Sequence, residues 1–286
     1  MGGPNQLKSE SAQNRLLHML SFLLMFILAL IVAVPLYYLV VTTFKSSYEA
    51  GVHPLALPSS LSFESYINAF QKMQYPRAFM NTFIITTLSV IGVILCASMG
   101  GYVLNRKGDS KAAKIVFVLI LAGIMFPYQM SVLGLYKVVQ SLHLMNTLWA
   151  VIFINIAVNI PFATFMFRSF ITTIPGELEE AAKIDGAGFY RVFWVITFPL
   201  MKPIIATVAI LNSLTIWNDF MGPLYFLQSR EKNVILQEVY RNVGQFSTDW
   251  NSMFPMMVLG VLPLLIFYLF MQKYIIGGVM NGALKG

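Results

Sequence analysis

The sequence predicts an all-α integral membrane protein with six transmembrane helices and both termini in the cytoplasm. Three observations predict it. Only 11% of the 286 residues are charged and 57% are hydrophobic, whereas a soluble domain carries about a quarter charged residues. The apolar residues fall in blocks long enough for helices of ~20 residues to cross a bilayer, and the mean hydropathy is +0.71. Lys and Arg are spread unevenly between those blocks.

The blocks run 17–41, 81–104, 114–137, 147–167, 203–224 and 254–271. The first exceeds the apolar core of a signal peptide and ends in "YYLVVTTFK" without a small-residue cleavage site, so it reads as an uncleaved span. Segment 1–16 precedes it, 77–275 forms the core with a long loop at 171–200, and 276–286 is a tail. One side of the membrane collects twelve Lys and Arg residues, including Arg106, Lys107, Lys111 and Lys114 of one short loop, and the other side collects seven. The excess marks the first side as cytoplasmic. Pro35, Pro127 and Pro161 fall inside spans, where neighbours or water must replace a lost amide bond. Gly92, Cys96 and Gly100 recur every fourth residue, a stripe suited to close helix contact. The lone Cys96 sits in an apolar run and is expected to be buried. His18, His53 and His143 share no ligand spacing, so no metal site is expected.

Polar side chains at membrane depth are costly unless they face protein or water. Asn155 and Asn159 stand four apart, on one helical face. Asn212, Thr215 and Asp219 share a face of the next span. Two readings stand for both groups: hydrogen bonding between helices, or the lining of a path for a polar solute. Trp217 and Tyr128 suit stacking on sugar faces, and equally suit packing. No nucleophile–base constellation, metalloprotease motif or GxxxxGK[ST] phosphate loop occurs. The chain is therefore expected to be no enzyme and to bind no ATP or other cofactor itself.

The loop 171–200 contains "ELEEAAKIDGA", which gathers Glu177, Glu179, Glu180 and Asp185, a third of all acidic residues. Pro175 suits the first turn of a helix, and the glutamates then lie near the positive end of its dipole. Gly186 offers a left-handed C-terminal stop. An aromatic segment, "FYRVFWVI", follows before Pro199 and Pro203. Two short helices with a break are expected, presenting a mixed apolar and acidic surface for another protein.

The stretch "EAAKIDGAGFYRVFWVITFPLMKP" resembles the EAA motif of permease subunits from binding-protein-dependent ABC importers. Glu180, Ala181, Ala182, Gly186, Ile196 and Pro199 stand at that motif's spacing. "FPYQMSVLGLYKVVQSLHLMNT", "WNDFMGPL" and the ending "GGVMNGALKG" are similar to the carbohydrate branch, in particular the shorter six-span maltose-type subunit. The ending departs from that branch's small-residue run before its final Lys-Gly. The resemblance implies a type I importer permease fold in a bacterial or archaeal cytoplasmic (inner) membrane. It implies that the loop, Asp185 included, couples to a separate ATPase dimer that holds ATP and Mg2+. It further implies a homologous second permease subunit, surrounding lipid, an extracellular or periplasmic solute-binding protein near loop 228–251, and a sugar as cargo moved by alternating access. Lys285 and Gly286 of the tail would reach the ATPase. No nucleic acid is implied. A permease of this type for glycerol phosphate or a polyol is the alternative, with an ion-coupled secondary transporter or an intramembrane enzyme further off.

Overall fold

The computed structural model describes residues 4–242 and 250–283, with side chains over 17–242 and 250–272. The expected contacts of Lys285, Gly286 and residues 243–249 of loop 228–251 therefore lie outside the described residues. All regular structure among those residues is helical. The helices are α1 (Pro4–Thr42), α2 (Ser47–Val52), α3 (Glu64–Lys72), α4 (Tyr75–Arg106), α5 (Lys111–Met125), α6 (Tyr128–Ser141), α7 (Leu148–Ile171) and α8 (Glu177–Ile184). They continue with α9 (Phe189–Leu200), α10 (Lys202–Trp217), α11 (Met221–Phe226), α12 (Ile235–Arg241) and α13 (Trp250–Ala283). The chain divides into two compact units, residues 1–71 with 243–259 and residues 72–242 with 260–286.

In the first unit the most apolar part of α1, within Leu17–Thr42, buries nothing inside the chain. After α1, Phe44 packs against Phe63 and Tyr66 with ring centroids 5.5 Å apart in each pair. Lys45 is buried, and its ammonium donates to the carbonyls of His53 (2.8 Å) and Pro54 (3.1 Å).

The second unit is organised on α4 and α7, which pack along their lengths. Val93 and Ala97 of α4 and Ala163 and Phe167 of α7 are completely buried. Gly101 makes the approach possible: a Cβ there would lie 2.9 Å from Phe167 Cβ and 3.0 Å from the Arg168 amide nitrogen. Of the expected stripe, Gly92 packs against Ile156 and Gly100 lies beside Thr164, both on α7. Cys96 lies off that face and is exposed, contrary to the expectation of burial.

Among the described residues four helices are long and apolar enough to cross a membrane alone: Leu17–Thr42, Tyr75–Arg106, Leu148–Ile171 and Trp250–Gln272. Two bent pairs bring that total to six if each is one span. The expected span 114–137, with Pro127 inside it, is one of these pairs, since α5 and α6 meet at 105°. Proline disfavours helical geometry in the residue before it, and Phe126, preceding Pro127, is extended (φ −83°, ψ 119°). Pro161 leaves α7 continuous, because α7 is buried against its neighbours on both sides of it, whereas α5 and α6 together bury only Val139. The expected span 203–224 also ends early, at Trp217. There the Asn218 side chain caps the Leu214 carbonyl (2.9 Å) and Asp219 accepts from the Gly222 amide (3.0 Å), starting α11.

The glycine contact gives a direct test. Gly101→Ala is expected to lower stability in detergent by about 1–3 kcal/mol through overpacking. Gly134→Ala, where nothing lies within 4 Å, gains helix propensity and should hold or raise it. Equal thermal midpoints for the two variants would remove the close-approach argument.

Candidate functional site

The loop after α7 folds as the two helices expected, with one shift: Pro175 lies ahead of the first turn, and Gly176 is the N-cap. Glu177, Glu179 and Glu180 occupy the first turn of α8, where the helix dipole favours negative charge. The helix stops in a Schellman arrangement, with the Gly186 amide donating to Lys183 O (3.0 Å) and the Ala187 amide to Ala182 O (2.9 Å). Gly186 takes φ +81°, the left-handed geometry that favours glycine. The following helix α9 contains a π-helical stretch, Val192–Thr197, and meets α10 at 74°.

Neighbouring glutamates on α8 face opposite ways. Glu179 is buried, with its carboxylate accepting from Tyr102 Oη (2.9 Å), Arg106 Nε (3.0 Å), Arg106 Nη2 (2.7 Å) and Thr197 Oγ1 (3.0 Å). Burial works to raise its pKa, but the bonds from Arg106, Tyr102 and Thr197 prevail and hold the carboxyl below the ordinary glutamate range. Nothing in the sequence singled out Glu179 from its neighbours; the i, i+4 pair Tyr102 and Arg106, near a span end, was the available signal. Glu180, Ala181, Asp185 and Gly186 are exposed, as is Pro199, while Ala182 is buried and Ile196 is partly buried. Leu178 (46% exposed) and Ile184 (87% exposed) flank the outward charges, so α8 presents the mixed surface that its sequence suggested.

The intramembrane polar residues converge only in part. Asn155, Asn159, Thr215 and Asp219 line one cavity of about 150 Å³ with Tyr128, Ile154 and Val158. Asn155 Nδ2 donates to Asp219 Oδ2 (3.3 Å), and Asn159 Nδ2 to the Asn155 carbonyl (2.8 Å). The Tyr128 hydroxyl is buried there without a hydrogen-bond partner among the described residues. Asn212 is not part of this group: it is buried and donates to Val208 O of its own helix (2.8 Å). Trp217 is also elsewhere, its indole donating to Gly260 O (3.2 Å) and its ring against Phe79. Among the described residues no group of three His, Cys, Asp or Glu is placed to hold a metal ion.

Comparison with known proteins follows this geometry. The family described as binding-protein-dependent transport system inner membrane component matches residues 92–280. The chain is 34% identical over 265 residues to the melibiose/raffinose/stachyose import permease protein MelC of Bacillus subtilis (strain 168), covering 91% of this chain and 95% of that one. It is 31% identical over 280 residues to the diacetylchitobiose uptake system permease protein NgcG of Streptomyces coelicolor, covering 97% and 92%. Among solved structures, a bacterial ABC transporter involved in the import of the acidic polysaccharide alginate shares the fold at a TM-score of 0.78, with 21% identity over 92% of this chain and 97% of that chain.

The two glutamates make a measurable contrast. Glu179→Ala strands Arg106 and is expected to cost on the order of 3 kcal/mol of stability, while Glu180→Gln should stay within about 0.5 kcal/mol of wild type. Because the Glu179 pKa is depressed on folding, its contribution is present above the ordinary glutamate range and is lost as pH falls through the depressed value. Glu179→Gln should flatten that acid limb in a pH series of thermal midpoints. An unchanged limb would contradict the assignment.

Proposed function

Because the chain belongs to the family of binding-protein-dependent transport system inner membrane components, multi-pass proteins of the cytoplasmic membrane, we propose that it is the permease subunit of an ATP-driven sugar importer. The observation that carries this reading is the loop at 171–200. Its first helix is anchored inward through Glu179 and exposes Leu178, Glu180, Ala181 and Ile184 outward, around a Gly186 break. That surface suits a groove on a separate ATPase subunit, where the charge of Glu180 meets donors and the small Ala181 permits close approach. ATP and Mg2+ are held by that partner. Asp185, Gly186, Ile196 and Pro199 shape the docking element rather than perform chemistry. A second homologous permease completes the path, and a solute-binding protein delivers the cargo.

Coupling then has a covalent route. Helix α9 runs from the loop into α10 through a single 74° bend, and α10 carries Thr215 and leads to Asp219 at the polar cavity. Displacement of the docked loop by ATPase closure moves that wall of the cavity against Asn155 and Asn159 on α7. Alternating access follows when nucleotide binding and hydrolysis drive the wall in opposite directions.

The cargo class rests on the lining. Amides, hydroxyls and one carboxylate line the cavity with no Lys or Arg, a set that hydrogen-bonds neutral polyhydroxy solutes and disfavours phosphate esters. The relatives named for melibiose, raffinose, stachyose and diacetylchitobiose agree with a short neutral saccharide.

Three measurements test the reading. Gly186→Pro, whose ring cannot take φ +81°, and Glu180→Lys should abolish co-purification of the ATPase while leaving membrane insertion intact; retained association and transport would refute the docking role. Against a panel of saccharides, a polyol and glycerol phosphate, the purified complex should show ATPase stimulation by a neutral saccharide. In the variant Asp219→Asn, loss of a charged hydrogen-bond acceptor should raise the transport KM by roughly 10-fold or more. Stimulation by glycerol phosphate alone would replace the sugar assignment.

A further inference from the structure

Among the described residues two carboxylates are buried, Glu179 (2% exposed) and Glu238 (0%). Both are paired with arginines of the same helix. Arg106, at the end of α4, holds Glu179 at 2.7 Å; Arg77, in its first turn, places Nη2 3.6 Å from Glu238 Oε1. The two arginines stand 29 positions apart in sequence, about 44 Å along a helix and so the full thickness of a bilayer with its headgroups. Asn81 and Thr82 add to the second fastening. Asn81 Nδ2 donates to the Glu231 and Asn233 carbonyls (2.9 and 3.0 Å), and Thr82 Oγ1 accepts from the Ile235 amide (3.0 Å). One helix thus grips the loop 171–200 at one end and segment 230–238 at the other.

The two grips differ in kind. Every guanidinium nitrogen of Arg106 is engaged, Nε and Nη2 with Glu179 and Nη1 with Asn105 Oδ1. At the far end Glu238 is shared. Arg230 donates to it from Nε (3.3 Å) and Nη2 (3.2 Å), Asn233 Nδ2 donates at 3.0 Å, and Arg77 keeps Nε and Nη2 buried without an acceptor. The near pair is saturated and can move only as a block. The far pair has donors to spare, since Arg77 and Arg230 both reach Glu238.

The shaft between the grips is stiff. The other long apolar segments carry a proline beyond the first turn or a break: Pro35 in α1, Pro161 in α7, Pro255 and Pro263 in α13, and the two bent pairs. Helix α4 has Pro76 in its first turn and none beyond. Its glycines do not act as hinges where they are packed, Gly92 against Ile156 and Gly101 against Phe167.

We propose that α4 transmits the state of the ATPase-docking loop to segment 230–238 on the opposite face, with Arg106 and Arg77 as the positioning residues at its two ends. The proposal rests on the permease reading. It is tested in the assembled complex of this chain with its ATPase, reconstituted in nanodiscs. Cys96 is the one cysteine of the chain, so Cys96→Ala provides a thiol-free permease, and Glu231→Cys adds an exposed reporter on the far segment. Maleimide labelling at position 231 is followed by peptide mass spectrometry, without nucleotide and with ATP, Mg2+ and orthovanadate.

The expected result is a several-fold change in labelling rate on nucleotide trapping, abolished by Arg106→Lys and by Arg77→Lys, since lysine keeps the charge but lacks the guanidinium fork. ATPase co-purification and basal hydrolysis should persist in Arg77→Lys, at the end of α4 remote from the docking loop, which a merely structural role would not predict; in Arg106→Lys, whose guanidinium holds that loop through Glu179, the response is read in complexes that still co-purify the ATPase. A full nucleotide response in either variant overturns the proposal. Should Arg106→Lys fail to assemble, Tyr102→Phe, which removes one bond to Glu179, is read in its place: a weakened response supports transmission and a full one overturns it. If the wild-type chain assembles with no ATPase, the permease reading fails instead, and the two failures are thereby distinguished.

Discussion

Withdrawing a carboxylate from water costs several kcal/mol unless donors converge on it, and the loop after α7 is arranged around one such group. Glu179 is reached by Tyr102 and Arg106 from α4 and by Thr197 from α9. Helix α8 can therefore sit only where those donors meet, and the burial of one side chain sets the position of the whole helix. It also sets the direction of the next residue. Successive side chains on a helix are turned by about a quarter circle or more, so fixing Glu179 inward sends Glu180 outward. The exposed acid is aimed by the hidden one.

How much of this was legible in the sequence depends on the range of the interaction. The helical class, the long apolar segments and the Gly186 break follow from composition and from local backbone preference, which act within a few residues. Pro127 and Pro161 show where local rules stop. Each removes the same amide donor, yet α7 remains one continuous helix because burial on both sides holds it, and α5 and α6 part at 105° because they bury almost nothing. Asn212 shows the same limit for polar residues. It shares a helical face with Thr215 and Asp219 in the one-dimensional pattern, but a bond to Val208 O satisfies its side chain within its own helix. Helical phase identifies residues that could meet, and packing decides which do. Glu179 was hidden in the sequence for this reason: its partners lie 73 and 77 residues away on α4 and 18 away on α9.

The loop 171–200 is joined to the polar cavity and to segment 230–238 by routes of different character, and the difference bears on mechanism. The route through α9 and α10 is covalent and bent by 74°, so in the proposed transporter it would convert a push on the loop into a change of angle at the wall that leads to Asp219. The route through α4 is one unbroken helix that ends in ion pairs, so it would carry translation or rotation without changing shape. In the proposed transporter these would act together, one reshaping the cavity while the other reports the same event to the far face. In the same proposal the cavity would limit what can pass. With Asp219 as its one carboxyl group and amides and hydroxyls around it, an anionic solute would find no Lys or Arg to pair with, whereas a neutral saccharide could donate hydroxyl protons to the lining. The unpartnered Tyr128 hydroxyl strengthens the same preference, because a buried polar group left without a partner is costly and a passing hydroxyl can relieve it. Selectivity would then come from what each lining group lacks before the solute arrives.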